Sequence, residues 1–288
     1  MRHYLPFFML LLLVGNAQAE PYNGPIADAH AHLPKSVSVD FLADVYQQAG
    51  VERAVIFTST FDRSKLLKFK RKLGEGFVLF PDVHKGKKGR YRIKQQRLEK
   101  MGELYQEGLI GGIGEVYINL SYAPFARRGI QSPIDSFEKG QFWQQANKLG
   151  MPVHLHHEAP DTAFSETLES YQNINFILAH SGYLAPEVLD QLMAQHPNLY
   201  ADLSLISNAH FGPFNKAPRL DKKPSEAWRA LLIKHQDRFM LGSDIGANKA
   251  RVSKLPAVIE DYRILLGNLP IEVARKIAYQ NFERVFVP

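Results

Sequence analysis

The sequence predicts an α/β protein, a (β/α)₈ or TIM barrel, on three observations. Apolar, β-rich runs alternate with polar, helix-compatible runs; eight strand–helix units fit between residues 20 and 288; and no Ser/Gly linker or low-complexity tract interrupts them. Strands that are apolar along their whole length are buried on both faces, as in a parallel sheet covered by helices. Eight such units in a chain of this length have the size of one closed barrel.

Taken in order, the expected strands are 26–29, 53–58, 77–81, 110–117, 153–156, 175–179, 199–203 and 238–241. Polar, helix-compatible stretches fall between them at 39–49, 63–72, 92–105, 135–148, 165–171, 186–195 and 224–235, and two more, 256–266 and 271–281, follow the last strand. The glycines at 108, 111, 112 and 114 lie before and within the fourth strand rather than between a strand and a helix N-terminus, so they do not cradle a pyrophosphate. There is no Gly-x-x-x-x-Gly-Lys and no Gly-x-Ser-x-Gly. Nicotinamide, nucleotide-hydrolysis and serine-hydrolase readings therefore fall away.

Residues 1–19 are set apart from the fold. A short basic start with Arg2, an apolar run over 5–14 and the small-x-small site Ala17-Gln18-Ala19 before Glu20 read as a cleaved secretory signal peptide. The apolar run is roughly half of the about 20 residues that a spanning helix needs. The expectation is a periplasmic or secreted protein whose residues 20–288 form a single barrel domain with no stable membrane association after cleavage. The chain contains no cysteine, which removes disulfides and thiolate zinc sites from consideration. Its net charge of +6 is too mild to argue for nucleic acid.

Metal-ligand residue types stand where five of the strands should end. These are His30 and His32 on strand 1, Glu115 on strand 4, His156 on strand 5, His180 on strand 6 and Asp244 on strand 8. Chemistry in a (β/α)₈ barrel gathers at the C-terminal strand ends, so the six side chains converge on one site. His30 and His32 are two apart and point to the same side of an extended chain, here the interior. Imidazoles and carboxylates suit a divalent transition metal, with Zn²⁺ the first choice and Mn or Fe also compatible. Strand 5 offers three histidines; His154 and His156 share the inward face, and His156 is taken as the ligand because it lies nearer the loop end.

In this order the chain resembles the metal-dependent hydrolases of the amidohydrolase superfamily, in the subgroup that contains both hydrolases and non-oxidative decarboxylases. The resemblance rests on Asp28-Ala-His-Ala-His32, Phe176-Ile-Leu-Ala-His-Ser-Gly182, Asn198-Leu-Tyr-Ala-Asp-Leu-Ser204 and Leu241-Gly-Ser-Asp244. It implies that His30, His32, His156, His180 and Asp244 are the metal-ligand set of the strand ends. Gly114-Glu115-Val116 is similar to the bridging glutamate of TatD-like deoxyribonucleases, which implies two metals if Glu115 ligates and one if it serves the substrate side. Asp244 is expected to act as general base and acid, and His180 to orient the water or hold metal.

For the substrate, His84 in the basic stretch 84–92, Arg127 beside Arg128, His157 and His210 are candidate contacts, and the cationic groups favour a small anionic molecule. The leading expectation is an exported hydrolase of an amide, ester or lactone bond. A phosphoester hydrolase is its variant, and the only one for which nucleic acid enters as a partner. A decarboxylase and a catalytically silent binding barrel are the alternatives.

Overall fold

The computed structural model describes residues 19–87, 90–93, 95–120, 130–131, 133–158, 160–204 and 220–287. Eight strands form the barrel: β1 Ala27–His32, β2 Arg53–Thr58, β3 Phe77–Pro81, β4 Ile113–Leu120, β5 Val153–His157, β6 Phe176–Leu178, β7 Leu199–Asp202 and β8 Phe239–Met240. Consecutive strands pair in parallel in two arcs, β1 to β3 and β4 to β8. The arcs are joined on one side by the Gly111 N–H donating to the Leu79 carbonyl at 3.1 Å. On the other side Ala29 N–H donates to Leu241 O and Asp244 N–H to His30 O, at 2.8 and 2.7 Å. The result is the expected (β/α)₈ barrel.

Helices follow the strands: α1 Val39–Ala49, α2 Arg63–Leu73, α3 Gln95–Gln106, α4 Phe137–Leu149, α5 Thr162–Ser170, α6 Pro186–Gln195 and α7 Glu226–Lys234. After β8 come α8 Lys249–Val252, α9 Leu255–Gly267, α10 Ile271–Arg275 and α11 Asn281–Phe286, the last two joined by a π turn at Lys276–Gln280. α1 shows why these segments fold where they do. Ser38 Oγ accepts the Phe41 N–H at its start, Gly50 ends it at φ 65°, and Leu42, Val45 and Tyr46 form its buried stripe.

The core has two layers. Alternate strand residues Ala27, Ala29, Val55, Phe57, Phe80, Ile177 and Met240 fill the barrel interior, plugged from below by Phe282, Val285 and Phe286 of α11. The outward residues pack against the helices in a larger second cluster. Burying both faces of the sheet is what makes the strands read as continuous apolar runs.

The strands depart from expectation at three places after β3. β4 begins at Ile113 rather than 110; Gly111 and Gly112, just ahead of it, pass close against β3. A Cβ at Gly112 would stand 2.3 Å from the Phe80 ring. The basic stretch after β3, read as loop, forms an antiparallel hairpin of His84–Lys87 with Arg90–Ile93. β4 also runs on to Leu120 and pairs antiparallel with Ile130–Gln131.

Candidate active site

β1 and β4 each carry a bulge beside their polar residues. The β1/β2 register slips by one residue between Asp28 and Ala31, and β4/β5 slips between Ile113 and Val116, where Glu115 lies, and again between Tyr117 and Asn119. A bulge re-aims side chains at a strand end. It brings His30 and His32 to face one another, with Nε2 atoms 3.3 Å apart.

Asp244 completes this first group, its Oδ1 lying 3.3 Å from His30 Nε2 and 3.1 Å from His32 Nε2. Its φ of 45° is left-handed, as is that of His180 at 55°. Non-glycine residues seldom adopt this conformation, and when they do they cluster at functional sites. Glu115 lies between this group and a second. Its Oε2 is 3.6 Å from His32 Nε2 and 3.9 Å from His30 Nε2, while its Oε1 is 2.7 Å from His156 Nδ1 and 3.7 Å from His180 Nε2. One carboxylate thus faces two pairs of imidazoles through different oxygens.

The electrostatics follow from burial against charge. Burial disfavours the ionised Glu115, yet His156, His30 and His32 outweigh it and hold the carboxyl far below its ordinary pKa. Asp244 is depressed for the same reason by His30 and His32, against its own burial. His156 is opposed by burial but raised to about 9 by Glu115 and Glu158. His180 goes the other way, to about 4, through burial and then the charges of His156 and His30.

The donor set fits a divalent cation. With His30 Nδ1 2.9 Å from Asp202 Oδ2 and His180 Nδ1 2.8 Å from Ser204 Oγ, the outward nitrogen of each ring commits to a protein partner, and the Nε2 lone pairs turn inward. His30, His32 and Asp244 bring one ligand atom each within 4.8 Å of one another, and so do His30, Glu115 and His180. Nitrogen and oxygen donors without sulfur suit a first-row transition ion but do not choose among Zn, Mn and Fe.

The cluster forms the floor of a cavity of about 380 Å³, with Phe57, Tyr117 and Tyr183 in its walls. A family model described as amidohydrolase matches residues 120–286, more than half of the chain and including His156, His180 and Asp244. The chain belongs to this family. His30, His32 and Glu115 of the amidohydrolase precede the matched span and are placed by the structure alone. A search of curated proteins gave no match.

Among solved structures, the fold is similar to YjjV, a TatD homologue from Escherichia coli, at 15% identity with a TM-score of 0.62, covering 91% of this chain and 98% of that one. It is similar also to a probable 2-pyrone-4,6-dicarboxylic acid hydrolase from Acinetobacter baumannii, at 13% identity, TM-score 0.61 and coverage of 91% and 99%. At such identities these likenesses concern the fold.

The remaining candidates lie apart from the cluster or beyond the described residues. His157 turns away from the cavity, its ring 5.3 Å from that of Phe164 on α5 and its Nε2 3.9 Å from Asp161. His154 lies deeper, 4.7 Å ring to ring from His30, with Nε2 2.8 Å from Asp202 Oδ2. His84 opens the hairpin after β3, and its side chain is not among the described ones. Arg127, Arg128 and His210 are outside the described residues.

Two carboxylates that sequence reasoning did not assign hold this amidohydrolase site in place. Asp202, at the end of β7, receives the N–H groups of His180 (3.1 Å) and Ser204 (2.9 Å) and the Ser204 hydroxyl, besides facing His30. Asp28 accepts from the Tyr46 and Ser243 hydroxyls and from the backbone N–H groups of His30 and Ser243, tying β1 to the segment that carries Asp244. The signal that finds both is the one used for the histidines: an acid inside or ending an apolar strand.

Close backbone approach is required between the same segments. A Cβ at Gly242 would stand 2.8 Å from His30 Cβ and 3.1 Å from Asp202 Oδ1. Gly242→Ala is therefore expected to cost about 1–3 kcal/mol of stability and to lower bound metal, because both neighbours are site groups. Thermal unfolding and elemental analysis of the purified variant check this; wild-type values for both would show that the strands separate without effect.

Proposed function

We propose that this amidohydrolase is an exported, two-metal hydrolase acting on an amide, ester or lactone bond of a small molecule, with phosphoesters as its nearest variant. The observation that carries the reading is Glu115, whose two carboxylate oxygens face two different imidazole pairs. His30, His32 and Asp244 would hold one ion, His156 and His180 the other, and Glu115 would bridge them. When bound, the ions supply Lewis acidity, which makes water acidic enough to attack at neutral pH and polarises the bond under attack.

The protein side of the reaction then falls to named groups. Asp244, ionised and beside the His30/His32 pair, accepts the proton of the attacking water and returns it to the leaving group. Asp202 and Ser204 hold the His30 and His180 rings in the tautomer that presents Nε2 inward. Phe57, Tyr117 and Tyr183 exclude bulk water and limit the substrate to a small molecule. Export rests on the reading of residues 1–19 as a signal peptide; no described helix is long and apolar enough to cross a membrane.

The test is elemental analysis of the mature protein joined to product analysis. Two transition-metal ions per chain and turnover that consumes water are expected. One ion per chain would return Glu115 to the substrate side, and carbon dioxide release without water uptake would replace the hydrolase by the decarboxylase reading.

A further inference from the structure

Glu158 is a buried acid that the proposed reaction does not use. It lies one residue beyond β5, is 0% exposed, and does not line the cavity. Its backbone is clamped to the end of β4 in both directions. The Glu158 N–H donates to the Asn119 carbonyl at 3.1 Å, and Asn119 Nδ2 donates to the Glu158 carbonyl at 2.9 Å. The β4/β5 register slips at this point, between Tyr117 and Asn119. The side chain is thereby brought against His156, whose Nε2 lies 3.0 Å from Glu158 Oε1.

This contact sets His156 apart from the other imidazoles of the site. His30, His32 and His180 turn Nε2 toward the carboxylates of the cluster, whereas His156 turns Nδ1, 2.7 Å from Glu115 Oε1. A neutral imidazole carries one proton, and only the nitrogen without it offers a lone pair to a cation. For His156 to be a ligand through Nδ1, its proton must therefore sit on Nε2. A carboxylate accepts a hydrogen bond and cannot donate one, so Glu158 stabilises that tautomer and opposes the other. Asp202 and Ser204 do the corresponding task for His30 and His180 at the opposite ring nitrogen.

We propose that Glu158 is the positioning residue of His156. It accepts the Nε2–H, keeps the Nδ1 lone pair turned to the cluster, and so sets the affinity of the ion that His156 and His180 would share, without itself touching ion or substrate. This rests on the two-metal reading for the ion, but not for the state of the ring.

The experiment pairs two readouts on the full mature chain. Glu158→Met and Glu158→Gln both keep the side-chain volume, and only the glutamine keeps an oxygen that can accept the Nε2–H. By chelator competition, one of the two Zn²⁺ ions is expected to bind about 10- to 100-fold more weakly in Glu158→Met and within a few-fold of wild type in Glu158→Gln. Glu158→Ala, which removes the oxygen without filling its space, is expected to behave as Glu158→Met. Wild-type affinity in all three would overturn the proposal and leave the ring oriented by its packing against Tyr117, His180 and Tyr183. Equal loss in Glu158→Met and Glu158→Gln, partial or complete, would also overturn it, because Glu158 would then act by its charge or as a ligand.

The second readout is the His156 ring itself, followed by long-range ¹H–¹⁵N correlation in the zinc-treated protein. A downfield, hydrogen-bonded Nε2–H is expected in wild type and Glu158→Gln and not in Glu158→Met. If wild type binds one Zn²⁺ or none, the two-metal reading fails and the ring signal alone decides. That same pattern then upholds the role of Glu158, and one signal common to all three proteins, or absent from all three, removes it.

Discussion

Asp244→Asn is expected to keep the fold and most of the bound metal while lowering kcat by about 10²- to 10⁴-fold, the usual contribution of a positioned acid–base group. Three features make the substitution informative. The backbone at position 244 has φ 45°, a conformation that asparagine tolerates, so the new residue brings no strain of its own. The Asp244 N–H still donates to His30 O, preserving the junction of β8 with β1. The amide keeps an oxygen that can face His30 and His32 but has no site for a proton at neutral pH. Metal content, circular dichroism and steady-state kinetics on one preparation separate these effects. Activity within a few-fold of wild type would remove Asp244 from proton transfer, whereas loss of metal in parallel with activity would make it chiefly a ligand. Asp244→Ala is the harsher control, because it discards both the oxygen ligand and a side chain suited to positive φ.

How much of this site could be read beforehand depends on which force left a trace in the sequence. Burial on both faces leaves a strong trace, and the eight strands were legible as uninterrupted apolar runs. The inward direction of His30 and His32 followed from the period of an extended chain, although the bulge between Asp28 and Ala31, which sets their final angle, has no sequence signature. Glu115 showed the opposite balance. Its residue type and strand end were visible, but whether its oxygens face one imidazole pair or two depends on the irregular β4/β5 register around it. The strands His84–Lys87 and Arg90–Ile93 lie in a run of lysine, arginine and glycine without an apolar stretch, so the sequence pattern predicts loop there. They pair through backbone groups, which sequence pattern does not report. α5 starts at Thr162, three residues before the expected 165, since the Asp161 carboxylate caps it by accepting the Phe164 N–H at 3.2 Å.

Asp202 carries the second large effect. It is fully buried, and its carboxylate is held well below the ordinary pKa, against its own burial, by His30 and His154. Removing it in Asp202→Ala strands several buried partners at once: the His30 ring, the His180 and Ser204 N–H groups and the Ser204 hydroxyl. A loss of about 3–5 kcal/mol in stability is expected, the cost of breaking a buried charged network by deleting one member. Asp202→Asn asks a narrower question. The amide fills the same space and can still accept the His180 N–H, but it presents a donor where His30 Nδ1 gives its proton. His30 must then reverse its tautomer and point Nε2–H into the ligand cluster, where a lone pair is needed. Metal affinity is expected to fall about 10- to 100-fold, read by chelator competition, with a smaller change in thermal unfolding than for Asp202→Ala. Wild-type affinity in Asp202→Asn would mean that the His30 ring is oriented by its packing against Phe57 and His154, which lie 5.0 and 4.7 Å from it, and that the carboxylate serves stability alone.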